Sequence, residues 1–204
     1  MSSSFSRSLI RKMTCEKWSV KKELFDLDEH GVGVAIYKVE TPQHPVWFVV
    51  FADNLKNSDR TDRVIAKRWD ATFVLTTEEP RGKKLRCLKK NVPLQEAGRC
   101  SSKEIILSRA NKSVRLFDYV VSQLASGKQP SPSKLVKVGY LMRTTAVYGN
   151  GKFGLADFED IRSQKLFQSP FQAEMLCVYL ARNFSFDWVE EVARRRDPVS
   201  FCEL

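Results

Sequence analysis

From Trp18 to Thr76 the apolar positions either alternate or form short unbroken runs, and turn residues punctuate them. Trp18 to Leu27 alternates in part. His30-Gly31 marks a turn, and Val32 to Val39 is rich in β-branched and aromatic residues. Two prolines break the chain within Thr41-Pro42-Gln43-His44-Pro45. Val46 to Ala52 is a continuous apolar run of strand length, the pattern of a strand buried on both faces. A polar loop over Asn57 to Asp62 and a short helix over Arg63 to Trp69 lead to a fourth strand, Ala71 to Thr76. Turn chemistry at Glu78-Glu79-Pro80-Arg81-Gly82 closes it. Such a meander needs a cover, so helices are expected to pack on it.

From Lys83 onward the period moves toward 3.6. Lys83 to Lys90 predicts a short basic helix, stopped by Asn91 and Pro93. Ser101 and Glu104 have capping-box spacing and predict a long helix to about Ala125, with Ile106, Ala110, Val114, Phe117, Val121 and Leu124 as its buried stripe. Arg109, Lys112 and Arg115 then fall on its opposite, basic face. Ser131-Pro132 opens another helix through Leu135 and Val138; from Thr144 to Tyr148 the residues favour a strand while Leu141, Met142 and Ala146 favour a helix. Ser169-Pro170 starts a helix that buries Phe171, Met175 and Val178, and Ser185 caps a last one carrying Trp188, Val189 and Val192. The fold class is α+β: an N-terminal β-meander or small sheet followed by a mainly helical C-terminal half. The organisation expected is a flexible basic tail over 1–15, a β-rich part over 16–80 and a helical part over 81–204, packed as one unit. The tail, rich in serine and without an acid before Glu16, has a faint organelle-targeting flavour but no long apolar core.

Composition narrows the function classes. The 204 residues include 43% hydrophobic and 28% charged, and no run approaches the roughly 20 apolar residues of a membrane span. Five cysteines (15, 87, 100, 177, 202) contain no C-x-x-C pair, and His30 and His44 are the only histidines, so no metal site is expected. The odd, irregular cysteine set suits a reducing, cytoplasmic setting, with Cys177 in the core. The net charge is +10, and it is concentrated. Between Arg81 and Arg115 stand eleven lysines and arginines against only Glu96 and Glu104, a local excess of nine. Such a segment attracts an anionic partner.

The most distinctive stretch is Tyr140 to Phe158, YLMRTTAVYGNGKFGLADF. Gly149-Asn150-Gly151-Lys152-Phe153-Gly154 matches G-x-G-x-x-G literally. Its glycines permit positive φ and close backbone approach to a ligand, Lys152 offers a point charge and Arg143 a bidentate fork. A dinucleotide site also needs a strand before, a helix after and an acid ending a second strand about 20 residues on, where this chain reads as a helix. A kinase loop is excluded by the absence of H-R-D and D-F-G in the residues that follow. Asp157, Glu159 and Asp160 read as acids of a helix start, not as a metal or general-base cluster.

The phrases LSRANKSVRLFDYVV (107–121) and VGYLMRTTAVYGNGKFGLADF (138–158) resemble a family of uncharacterised proteobacterial proteins of unknown function, with the likeness running to about Asp197. The resemblance implies no activity or functional residue. It implies that family members continue further, so that these residues correspond to an N-terminal portion.

Three functions follow from the residues. The first is an anion, nucleotide or phospho-metabolite site in a domain of a larger enzyme, built from Arg143, Gly149, Asn150, Gly151, Lys152 and Gly154, with Arg109, Lys112 and Arg115 beside it; no cofactor and no catalytic residue is assigned. The second is nucleic-acid binding by the 81–115 segment, which contains no aromatic to stack on bases. The third is a structural role, docking an acidic protein surface without catalysis.

Overall fold

A computed structural model describes residues 2–56, 70–92, 103–109, 114–135, 144–148, 166–167 and 170–204. Its centre is a six-stranded sheet in the order β1 (Ser19–Leu27), β2 (Gly33–Glu40), β3 (Val46–Ala52), β4 (Ala71–Thr76), β5 (Glu104–Arg109) and β6 (Thr144–Tyr148). Every neighbouring pair is antiparallel. The helices are α1 (Ser2–Cys15), α2 (Gly82–Asn91), α3 (Val114–Ala125), the single turn α4 (Pro132–Leu135) and α5 (Pro170–Arg196). The α+β class holds, with the sheet leading and the longest helix at the end.

Side chains sort by parity. Tyr37, Phe48, Val50, Phe73, Leu75, Ile105 and Leu107 face one core, under α1, α3 and α5. Ile36, Trp47, Val49, Phe51, Val74 and Ile106 face the other, where α2 contributes Leu88 and Val92. β3 and β4 are buried along their whole length because both their faces are covered. Ring contacts link sheet to helix. Phe73 lies 5.6 Å from Phe48 and 6.0 Å from Phe184, and Trp188 lies 5.2 Å from Phe184 and 4.3 Å from Phe117.

Five expectations change. The helix expected from Ser101 to Ala125 is instead strand β5 followed by helix α3. Ile105-Ile106-Leu107 is an unbroken apolar run with both faces buried, which a helix with one apolar stripe cannot satisfy. The basic face built on that helix goes with it: Arg109 lies at the end of β5, Arg115 in the first turn of α3, and Lys112 outside the described residues. The expected helical part therefore contributes two strands to the same sheet. The tail 1–15 is helix α1, which buries Leu9 and Met13, one turn apart, against the core that includes α5. Finally, the two helices expected on either side of Ser185 are one 27-residue helix. Its buried residues, Leu176, Leu180, Phe184, Trp188 and Val192, continue at steps of four through the expected boundary.

Candidate functional site

The glycine turn cannot be built upward, because Arg143, Gly149, Asn150, Gly151, Lys152 and Gly154 all lie outside the described residues, as do Asp157, Glu159, Asp160 and the short helix expected over 63–69. One neighbour is described. β6 ends at Tyr148, so Gly149 follows directly on a strand. That strand pairs antiparallel with β5, unlike the parallel sheet of a dinucleotide-binding fold.

The 81–115 segment is described where its charge is densest. α2 carries Lys83, Lys84, Arg86, Lys89 and Lys90 and no acid. At 100° per residue, Leu85, Leu88 and Val92 fall within about 60° of one another and Lys83, Arg86, Lys89 and Lys90 within an arc of about 120° on another side. The apolar stripe packs on the sheet, and the four cations are exposed. None of the four has an ion-pair partner among the described residues.

Lys84 differs from the other four. It lies between the stripe and the cationic arc, half-buried, and pairs with Glu78 at 2.7 Å and with Glu104, whose side chain is 5% exposed. Glu78 in turn binds Lys103 at 2.7 Å. Hydrogen bonds from Lys103 and then Lys84 hold the Glu78 carboxyl down at about 2. Burial works to lower the pKa of Lys84, but the carboxylates of Glu104 and Glu78 outweigh it and the net shift is upward. Lys84 and Glu78 therefore both remain charged at neutral pH. Glu104, expected from spacing to act in a helix-capping pair, is instead the first residue of β5, and this network fastens it to the inner edge of α2; Ser101 lies outside the described residues.

A cleft of about 190 Å³ opens at the far end of β2, between the β1–β2 turn and the ends of α3 and α5. Asp53, Asp70, Asp118, His30, Arg196 and Trp188 line it. The indole N–H of Trp188 donates to the carbonyl of Gly31 at 2.9 Å and fixes the turn. Three carboxyls against one arginine make this cleft a poor host for an anion. No group of three or more His, Cys, Asp or Glu among the described residues is arranged to hold a metal ion. His30 and His44 sit in the turns at opposite ends of β2. Cys177 is buried, as expected, while Cys15 and Cys87 are exposed. No helix among the described residues is long and apolar enough to cross a membrane.

Sequence reasoning located the charge and the short basic helix over Lys83 to Lys90, but placed Arg109, Lys112 and Arg115 together on a longer helix that is instead strand β5 followed by α3. The separation of one anchoring lysine from the four cations that are unpaired among the described residues has no local signal, because it depends on Glu78 and Glu104 meeting Lys84 in space. No protein-family model, curated protein or solved structure matches this chain.

Proposed function

We propose that this chain is a binding domain for anionic partners and that the outer face of α2 is its contact surface. The observation that carries the reading is the cationic arc of Lys83, Arg86, Lys89 and Lys90, exposed and without ionic partners among the described residues. Elsewhere some exposed lysines and arginines are paired, Lys21 with Glu40, Lys22 with Asp187, and Arg194 and Arg195 with Glu191, while others such as Arg7, Arg11, Lys56 and Lys128 have no ion pair among the described residues but are not gathered on one helix face. The arc is also unfavourable for the helix itself. Lys83 stands in a first turn that has no acid, where the dipole disfavours cations, and Arg86 faces like charges at spacings of three and four. A surface selected only for helix stability or solubility would intersperse acids here.

The reading is tested by binding to inorganic polyphosphate, a polyanion without bases or lipid. The parent should bind, and Lys83→Gln/Arg86→Gln/Lys89→Gln/Lys90→Gln should lose most of the affinity while melting at an unchanged or higher temperature. Equal binding by parent and variant would sink the reading.

A second reading, a nucleotide or phospho-metabolite held by Arg143, Gly149, Asn150, Gly151, Lys152 and Gly154, is favoured by the strand that ends at Tyr148. Arg143→Ala/Lys152→Ala should then abolish the thermal shift produced by a nucleotide panel without changing polyphosphate binding.

A further inference from the structure

We infer that the anionic partner of α2 is a nucleic-acid duplex, gripped by its phosphates without reading base sequence. The inference rests on the proposed role of the α2 face and narrows it. Three features of that face select the partner. First, the helix has no aromatic residue, so it offers unpaired bases no stacking platform. Second, its apolar residues Leu85, Leu88 and Val92 are turned into the sheet, and none of the exposed large hydrophobics lies on α2. A helix that lies in a membrane surface buries an apolar face in the lipid, and α2 has none to offer. Third, an acidic protein surface would need large apolar or aromatic anchors at the centre of the contact, with charges at the rim, and the outer face of α2 presents its four cations and Cys87 but no such anchor.

What remains is a rigid row of cations at fixed spacing. Lys83 and Lys90 are two helical turns apart, about 10 Å along the axis, with Arg86 between them and Lys89 alongside. The Lys84 network clamps the helix to β5, so the row is held in place before binding. A duplex, whose phosphates recur at regular spacing and high charge density, is the polyanion that such a row suits, because its contacts with a fixed helix are to phosphates and need no base. Asn91, the residue on α2 best suited to reading an adenine edge, has its amide directed at the Cys87 sulfur at 3.3 Å.

The experiment is fluorescence anisotropy of the full chain with labelled duplexes of two unrelated sequences, the matching single strand, and phosphatidylserine vesicles that compete for a labelled duplex. Four neutralised phosphates predict a log–log salt slope near −3.6 and a loss of about 100-fold between 50 and 200 mM salt. Both duplexes should bind alike and more tightly than the single strand or the vesicles. Lys83→Gln/Arg86→Gln/Lys89→Gln/Lys90→Gln should flatten the slope. A control that removes four exposed cations elsewhere, Arg7→Gln/Arg11→Gln/Lys56→Gln/Lys128→Gln, should keep it. If the fourfold variant does not melt cooperatively, Arg86→Gln/Lys90→Gln should reduce the slope by about half. If polyphosphate binding depends on α2 but the single strand or the vesicles bind as well as the duplex, the duplex inference falls and the α2 reading stands. If the α2 variant binds every probe like the parent, both fall. If both fourfold variants lose duplex equally, net charge and not this face is responsible, and the inference falls.

Discussion

Replacing Lys84 with methionine should cost about 2 kcal/mol of folding stability, although the change leaves a long apolar stem in place. Breaking one partner out of a buried ion pair typically costs about 3–5 kcal/mol, because the other charge is left uncompensated. Here the figure is reduced for two reasons. The Lys84 side chain is 22% exposed, so water screens part of the pair, and Glu78 keeps its bond to Lys103. The burden falls on Glu104, only 5% exposed at the start of β5. Equilibrium urea unfolding measures the loss. With a slope of about 2 kcal/mol per molar, the midpoint should fall by about 1 M. The cycle decides the cause. Lys84→Met/Glu104→Leu removes both charges and should be more stable than Lys84→Met alone, since no buried carboxylate is then left without its lysine. If the double variant equals the sum of the singles, the two groups are not coupled. If Lys84→Met loses less than about 0.5 kcal/mol, the network does not hold α2.

Acid should loosen the same network from the other side. Glu78 is held at about 2 against an ordinary value of 4.5, so its contribution is present above about 4.5 and is lost as pH falls toward 2; Glu78→Gln should flatten the urea midpoint across that window. Gly31→Ala should lower stability by about 2 kcal/mol or more, read by thermal melting. Gly31 has φ +76°, and a methyl there would lie 2.4 Å from Nε1 of Trp188 and 2.8 Å from Val192. Ser185→Ala should be neutral or stabilising, because the Ser185 hydroxyl is buried with no hydrogen-bond partner among the described residues; a loss of about 1 kcal/mol would restore it as a helix cap.

The part of the fold legible in the chain is the part where local pattern and final environment agree. β3 and β4 have the expected bounds, because a short apolar run framed by prolines or polar turns leaves a strand no alternative. The starts of α4 and α5 follow their Ser-Pro signals. β5 was misread because Ile106, Ala110 and Val114 happen to lie at helical steps, while the decisive fact, a partner on each side of the strand, is not local. Ser185 carries a capping residue's chemistry in the middle of a helix. The apolar stripe through Phe184 and Trp188 continues past it, and that burial outweighs a cap. α1 offered only Leu9 and Met13 as a periodic signal among serines and arginines, and its burial depends on contact with α5, at the other end of the chain. The candidate surface divides in the same way. The excess of cations was plain, but a linear count treats Lys84 and Lys83 alike, and they have opposite roles: one is anchored on two carboxylates and one is exposed.

The two faces of the sheet explain why α2, and not the longer helices, can carry so concentrated a cationic face. α3 and α5 pack on each other and share the core beneath the sheet, so much of their circumference is buried, and at the end of α5 Arg194 and Arg195 pair with Glu191. α2 touches the sheet through a narrow stripe of Leu85, Leu88 and Val92. Such a stripe gives modest hydrophobic anchoring to a helix whose like charges repel, and the Lys84–Glu104–Glu78 network compensates at its inner edge. That division lets most of the helix surface remain cationic without detaching the helix. A sequence under no pressure to bind an anion could relieve the repulsion by placing a single glutamate at position 86 or 87, four or three residues before Lys90. It instead has Arg86 and Cys87 there. The arc, without ionic partners among the described residues, is therefore what the proposed anionic partner would account for.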